Sequence, residues 1–216
     1  DGSRLAYTGD WEGTGIGVLR PYIVNADGTG RRLVGSDDAA YGLGTSWSPD
    51  GNSIAYFSDA SGEYALHIKD QKGEAEVKTF PLDGAGFYNH IHWSPDSKKI
   101  CFVDNSRSLY LLDIAQKTPV KIASDEVYTP GVYRDLFGSW SADGAWISYT
   151  TITETNFERA FLYDVQKKES HPVSDGLSNV SDPVFDPSGK YLYLLASTDA
   201  GPVVNWFDQS NQDMQM

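Results

Sequence analysis

The chain has 216 residues, with 17 Lys and Arg against 30 Asp and Glu, for a formal net charge of −13. A composition that is 40% hydrophobic and 13% aromatic is too apolar for a disordered chain, and no apolar run approaches the ~18 residues of a membrane span. So acidic a chain, without a Lys/Arg stripe, excludes nucleic acid as a partner, and a lone cysteine, Cys101, excludes a disulfide scaffold or a cysteine-based zinc site.

The chain opens on Asp1-Gly2 without a signal peptide and stops in polar Gln209-Ser210-Asn211-Gln212, so both ends read as cut. One cysteine is compatible with cytoplasm or periplasm, and the compartment stays open between them.

In chain order, one string recurs: Trp47-Ser48-Pro49-Asp50-Gly51, Trp93-Ser94-Pro95-Asp96-Ser97, Trp140-Ser141-Ala142-Asp143-Gly144 and Phe185-Asp186-Pro187-Ser188-Gly189, at spacings of 46, 47 and 45 residues. Asp1-Gly2-Ser3-Arg4-Leu5-Ala6-Tyr7 aligns with Asp50-Gly51-Asn52-Ser53-Ile54-Ala55-Tyr56, so the array begins inside a repeat. Aligned on the string, Leu5, Ile54, Ile100, Ile147 and Leu192 share a column, and Tyr7, Tyr56, Phe102, Tyr149 and Leu194 follow two residues later. A large apolar residue at every second place marks a strand buried on that face. A further aromatic column, Tyr22, His67, Tyr110 and Phe161, stands three residues before Asn25, Asp70, Asp113 and Asp164, where turns open. No window shows helical periodicity, so the chain reads as all-β.

Each repeat is expected to hold four strands. The first spans 43–48, 89–94, 135–141 and 180–185, the second 53–58, 99–104, 146–151 and 190–196, the third surrounds the aromatic column, and the fourth runs as in Val77 to Pro81 or Val120 to Ile122. Four strands per roughly 40–50 residues describe a β-propeller blade, a four-stranded antiparallel sheet. The chain is expected to be a single β-propeller region, 1–216, with repeats 1–42 (partial), 43–88, 89–134, 135–179 and 180–216 (partial). That makes four to five WD-like repeats, an arc of a six- or seven-bladed propeller.

Candidate chemistry is sparse, with no Gly-x-Ser-x-Gly elbow and no His-Glu-x-x-His, so no catalytic residue is assigned. Gly13-Thr14-Gly15-Ile16-Gly17 leads through Arg20-Pro21 into a strand rather than a helix, which removes the phosphate-loop reading. His90 and His92 stand two apart on a strand and would need a third ligand to hold a metal. Position 92 aligns with Ser46 and Ser139, so inter-blade packing or channel lining is the reading, and neither a metal nor any other cofactor is expected. Cys101 sits in a column of Ala6, Ala55 and Ser148, a small buried slot, and His67 reads as a hydrogen-bonded core histidine. The Asp-Gly strings lack the ligand spacing of a calcium loop and read as tight turns.

Loop lengths separate the two rims. The connections between repeats (35–43, 83–90, 124–136 and 174–180) and two second-to-third-strand loops (9–19 and 151–159) are long and emerge on one side. That side carries Trp11, Tyr41, Phe87, Tyr88, His90, Tyr128, Tyr133 and Phe157, among the acids Asp37, Asp38, Asp125, Glu126, Asp135 and Glu154. Long loops on a rigid scaffold carry binding, so the rim is expected to handle extended peptides or protein partners, with a preference for neutral or cationic ones. The alternative is that these rings seal the seams between blades.

The Trp-Ser-Pro-Asp-Gly turn followed by Ile54-Ala55-Tyr56-Phe57-Ser58-Asp59 resembles the WD-like propeller repeat shared by the Tol-system periplasmic propeller, tricorn-type peptidases and prolyl-oligopeptidase relatives. Residues 54–68, 93–105, 161–176 and 185–206 together resemble the first propeller of bacterial tricorn protease homologues. The resemblance implies a multidomain serine endopeptidase whose propellers pass or filter peptides, with a PDZ-like module and the catalytic region elsewhere in the parent. A freestanding TolB-like interaction propeller is the alternative, and a metal-dependent sugar lyase using His90 and His92 a third.

Overall fold

The computed structural model describes residues 2–9, 19–34, 42–60, 62–82, 86–127 and 134–197, and all regular structure among them is β-strand. Among these residues no helix is long and apolar enough to cross a membrane. Two compact units divide between Lys121 and Ile122.

The first unit holds β1 (Arg4–Gly9), β2 (Arg20–Asn25) and β3 (Arg32–Leu33) in one sheet, and β4 (Gly42–Trp47), β5 (Ser53–Ser58), β6 (Ala65–Asp70) and β7 (Lys78–Pro81) in the next. A third sheet joins β8 (Tyr88–Trp93), β9 (Lys99–Asp104), β10 (Ser108–Asp113) and β11 (Pro119–Ser124), the unit boundary falling within β11. The second unit holds β12 (Phe137–Trp140), β13 (Trp146–Ile152), β14 (Glu158–Asp164) and β15 (Glu169–Pro172), then a pair, β16 (Val180–Phe185) and β17 (Leu192–Ala196). Neighbours in each sheet follow chain order, the meander of a propeller blade. Three sheets have the expected four strands; among the described residues the first has three and the last two.

Strand bounds follow the sequence reading with shifts that side chains explain. β12 begins at Phe137 rather than residue 135, because Asp135 Oδ1 accepts the Phe137 N–H at 3.1 Å and closes a local turn there. β17 begins at Leu192 rather than 190, because Asp186 Oδ1 takes the N–H groups of Lys190 and Tyr191 at 3.1 and 3.3 Å.

The recurrent turn is one hydrogen-bonded unit. Ser48, Ser94 and Ser141 each donate their hydroxyl to Asp50, Asp96 and Asp143 at 2.6 Å. Each serine oxygen also accepts the N–H of the first residue of the next strand, Ser53, Lys99 or Trp146, at 2.9 Å. Ser97 stands at φ 59°, where Gly51, Gly144 and Gly189 adopt 69–72°, so three of the four turns use the residue that takes this conformation at least cost.

The central strands are buried on both faces, more fully than alternation alone predicts. Ile54, Ala55 and Phe57 on β5, Ile100, Cys101 and Phe102 on β9, and Ile147 and Ser148 on β13 are all 0% exposed. Cys101 therefore fills the small buried slot expected of it. The two aromatic columns are opposite one another in register: Tyr7 with Tyr22, Tyr56 with His67, Phe102 with Tyr110 and Tyr149 with Phe161. Their rings stack at 5.6, 5.3, 5.4 and 5.3 Å, and each such pair contributes on the order of 1 kcal/mol beyond its buried area.

Candidate functional site

The first strand of four sheets carries an irregularity in its pairing. Pairing skips between Leu43 and Ser46, Asn89 and His92, Phe137 and Ser139, and Ser181 and Val184. In three of these strands the residue three before the terminal aromatic is left-handed: Gly44 at φ 65°, His90 at 57° and Asp182 at 50°. These are β-bulges, which re-aim side chains at strand ends. His90 thus occupies a position where the preceding repeat has glycine, and the Asn89 carboxamide supports it by accepting its N–H at 2.9 Å. The rings of His90 and His92 lie parallel, 4° apart in plane, with centroids 6.5 Å apart.

The expected rim residues of the first unit separate into two groups. Phe87 is 51% exposed and its ring leans on Tyr64 at 5.3 Å and 54°. The Asn105 N–H donates to the Phe87 carbonyl at 2.9 Å, and Gly86 lies close against the Asn105 side chain, where a Cβ would sit 2.0 Å from Oδ1 and displace the carboxamide. Tyr88, by contrast, is 2% exposed and packs in the core against Phe57 and Phe102 at 5.6 and 5.8 Å. The bulge explains it: buried positions on β8 fall at 88, 91 and 93 instead of at strict alternation. Trp11, Tyr41, Tyr128 and Tyr133, like the Gly13–Gly17 loop, lie outside the described residues.

The loop after β9 is organised by Asp104, buried at the end of that strand. It accepts the Ser108 N–H at 2.9 Å, the Ser106 hydroxyl at 2.8 Å and the Tyr110 hydroxyl at 3.0 Å. Burial, with the Asp104 carboxylate beside it, pushes the Tyr110 phenol up to about 12, so Tyr110 remains a neutral donor.

In the second unit a charged cluster joins four segments of chain. Arg134 pairs with Asp125 at 2.8 Å, with Glu158, and with the Thr150 hydroxyl. Asp125, its side chain 1% exposed, also accepts the Ile152 N–H at 2.8 Å, and Thr150 donates to Glu158 at 2.7 Å. Asn179 takes the Glu158 N–H at 2.8 Å, while Glu126 takes the Glu154 N–H at 2.7 Å. Phe157 is half-buried, and its carbonyl accepts both the N–H and hydroxyl of Thr153, closing a turn with Asn156 at φ 62°. Sequence reasoning placed Asp125, Glu126, Asp135 and Glu154 on this rim and missed Arg134, Thr150, Glu158 and Asn179. A lone arginine before the strand, among so many acids, was the available signal. Chemically, the second unit's carboxylates are matched by Arg134, a hydroxyl and backbone N–H groups, and in the first unit Phe87 offers exposed ring surface for apolar contact.

No protein-family model matches the chain. The chain is 27% identical over 152 residues to the uncharacterized peptidase YuxL of Bacillus subtilis, covering 70% of this chain and 21% of that protein. It is also 27% identical over 129 residues to a Tricorn-like protease C-terminal subunit from Sulfurisphaera tokodaii, covering 60% and 14%. The chain therefore spans about a fifth or less of the length of these relatives. Among solved structures, tricorn protease superposes with a TM-score of 0.70 at 18% identity, over 91% of this chain and 18% of that one. TolB from Acinetobacter baumannii superposes with a TM-score of 0.59 at 22% identity, over 94% and 48%. The meandering four-stranded sheets, the repeated turn and these likenesses give the chain the fold of a β-propeller region, similar to those of tricorn protease and TolB.

Proposed function

We propose that the chain is the non-catalytic propeller region of a tricorn-like serine peptidase, a single region over 1–216 that controls peptide access or filtering through its long-loop rim. Bond cleavage then belongs to other domains of the parent. The observation that carries the reading is Phe87, half-exposed beside Tyr64 in the first unit; in the second unit Asp125 and Glu158 share Arg134, and Glu126 takes the Glu154 N–H. Exposed ring surface gives contact area at small entropic cost, and a net charge of −13 attracts cationic peptide segments.

The test is anisotropy of labelled extended peptides of equal length titrated with the chain. Lys-rich peptides are expected to bind about tenfold tighter than Glu-rich ones at low salt, with the gap closing toward 1 M salt. Phe87→Ser weakens both. Equal affinity for the two peptides at low salt would sink the electrostatic part of the reading, and no saturable binding of either would sink the access role. A freestanding TolB-like interaction propeller, the second reading, draws on the superposition over 94% of this chain. It requires binding to folded protein partners with no preference among free peptides.

A further inference from the structure

β8 departs from the preceding repeat at two places, and both departures are to histidine. Where β4 has Gly44 and Ser46, β8 has His90 and His92. The chain holds four histidines in all, so half of them stand on this one strand. Neither is what the fold requires at its place. His90 is the left-handed residue of the bulge, at φ 57° against 65° for Gly44, a conformation that glycine takes at least cost. His92 faces Cys101 in the ladder, where Ser46 faces Ala55 and Ser139 faces Ser148, so a hydroxymethyl suffices at the other two positions. Backbone strain kept at a residue other than glycine points to a use for its side chain.

The geometry of the pair is the second, independent mark. The two rings lie parallel to within 4°, both are half-buried, and each offers a ring nitrogen within 4.8 Å of the other's. Tyr88, Ile91 and Trp93 anchor the strand around them in the core of the first unit, which holds the two Cβ atoms in place. An imidazole nitrogen sits about 2.0–2.1 Å from a bound zinc ion, so two on one ion stand about 3 Å apart. The torsion that turns a histidine ring is broad, and rotation about it closes the remaining distance without moving the backbone.

We propose that His90 and His92 form a chelating pair for a divalent first-row transition ion, Zn²⁺ or Cu²⁺. The ion takes one nitrogen from each ring, and its other positions stay open to water or an incoming donor. Imidazole is a ligand that suits both ions, and partial burial of the pair limits solvent access to the bound ion. The bulge has a purpose in this arrangement, because it re-aims the first histidine of the pair. The inference is independent of the rim reading, since it requires no peptide and survives if none binds.

The experiment titrates Zn²⁺ and Cu²⁺ into the intact chain by calorimetry and reads the Cu²⁺ complex by electron paramagnetic resonance. One saturable site is expected, tighter for Cu²⁺ than for Zn²⁺, with the hyperfine pattern of two imidazole nitrogens. His90→Gly fits the bulge and His92→Ser copies Ser46, so both variants keep the fold, which far-UV circular dichroism checks. Each is expected to weaken Cu²⁺ binding at least about tenfold, whereas His171→Ala, at an exposed histidine of the second unit, leaves it unchanged. Stability gives a second readout. Without metal, His90→Gly is expected to unfold at or above the parent's urea midpoint, and Zn²⁺ raises the parent's midpoint alone. No saturable binding to the parent, a spectrum with fewer than two imidazole nitrogens, or full affinity in either single variant overturns the proposal. Equal binding by the His90→Gly/His92→Ser double variant overturns it as well, because surface carboxylates then hold an adventitious ion only.

Discussion

Ser141 donates its hydroxyl to Asp143 at 2.6 Å, and in the last turn Ser188 donates to Asp186 at 2.8–2.9 Å, the two residue types having exchanged places along the chain. The exchange preserves the pair: in both turns a carboxylate collects a hydroxyl and an N–H just ahead of the next strand. The hydroxyl of Ser141, then the Ala145 N–H, hold the Asp143 carboxyl below its ordinary 3.8. A lowered folded-state value means that the unfolded chain binds the proton first as pH falls. The stabilisation is therefore complete above about pH 4 and is lost as pH drops through the lowered value. Asp143→Asn is expected to be less stable than the parent at neutral pH, with the gap shrinking below about pH 4 in urea midpoints. A gap independent of pH would remove the charge from the explanation.

Ser97 links neighbouring turns, its hydroxyl accepting the Asp50 N–H at 3.1 Å while its backbone holds φ 59°. The left-handed conformation costs a non-glycine residue about 1 kcal/mol, and the hydrogen bond returns about as much. Ser97→Ala keeps the strain and loses the bond, so thermal or urea unfolding is expected to show a loss of about 1 kcal/mol. Ser97→Gly loses both and should stay within about 0.5 kcal/mol of the parent.

Arg134 is the shared cation of Asp125 and Glu158. Removing it leaves the almost fully buried Asp125 carboxylate uncompensated, and Arg134→Met is expected to cost about 3 kcal/mol in urea unfolding. Adding Asp125→Asn and Glu158→Gln to that variant should recover part of the loss, because the penalty is an isolated buried charge more than a lost attraction. A triple variant no more stable than Arg134→Met would contradict this.

His67 is 7% exposed, stacked on Tyr56 at 5.3 Å and bonded through Nδ1 to the Thr79 hydroxyl at 3.1 Å. Burial lowers its pKa from 6.5. The unfolded chain therefore protonates first, and stability falls as pH drops from about 6.5 toward the lowered folded value. That window lies above the one in which the turn aspartates titrate. His67→Phe retains a ring for Tyr56 and is expected to flatten the stability profile just below about pH 6.5; a profile unchanged from the parent would assign that slope to other groups.

The sequence by itself determined the repeat period, the strand order and the turn that separates first from second strands, because these depend on local alternation and on residues within five positions of one another. It also placed Cys101 and His67 in the core from the columns they share. Tertiary structure alone decided which columns meet. The aromatic pairs Tyr56–His67 and Tyr149–Phe161 stack because hairpin register sets them opposite, and Tyr88 turns inward because a bulge adds a residue to β8. The Arg134 cluster was hidden for a related reason: Asp125, Thr150 and Glu158 reach the guanidinium from three other segments. Periodicity reports which side chains share a face, and only packing settles what that face meets.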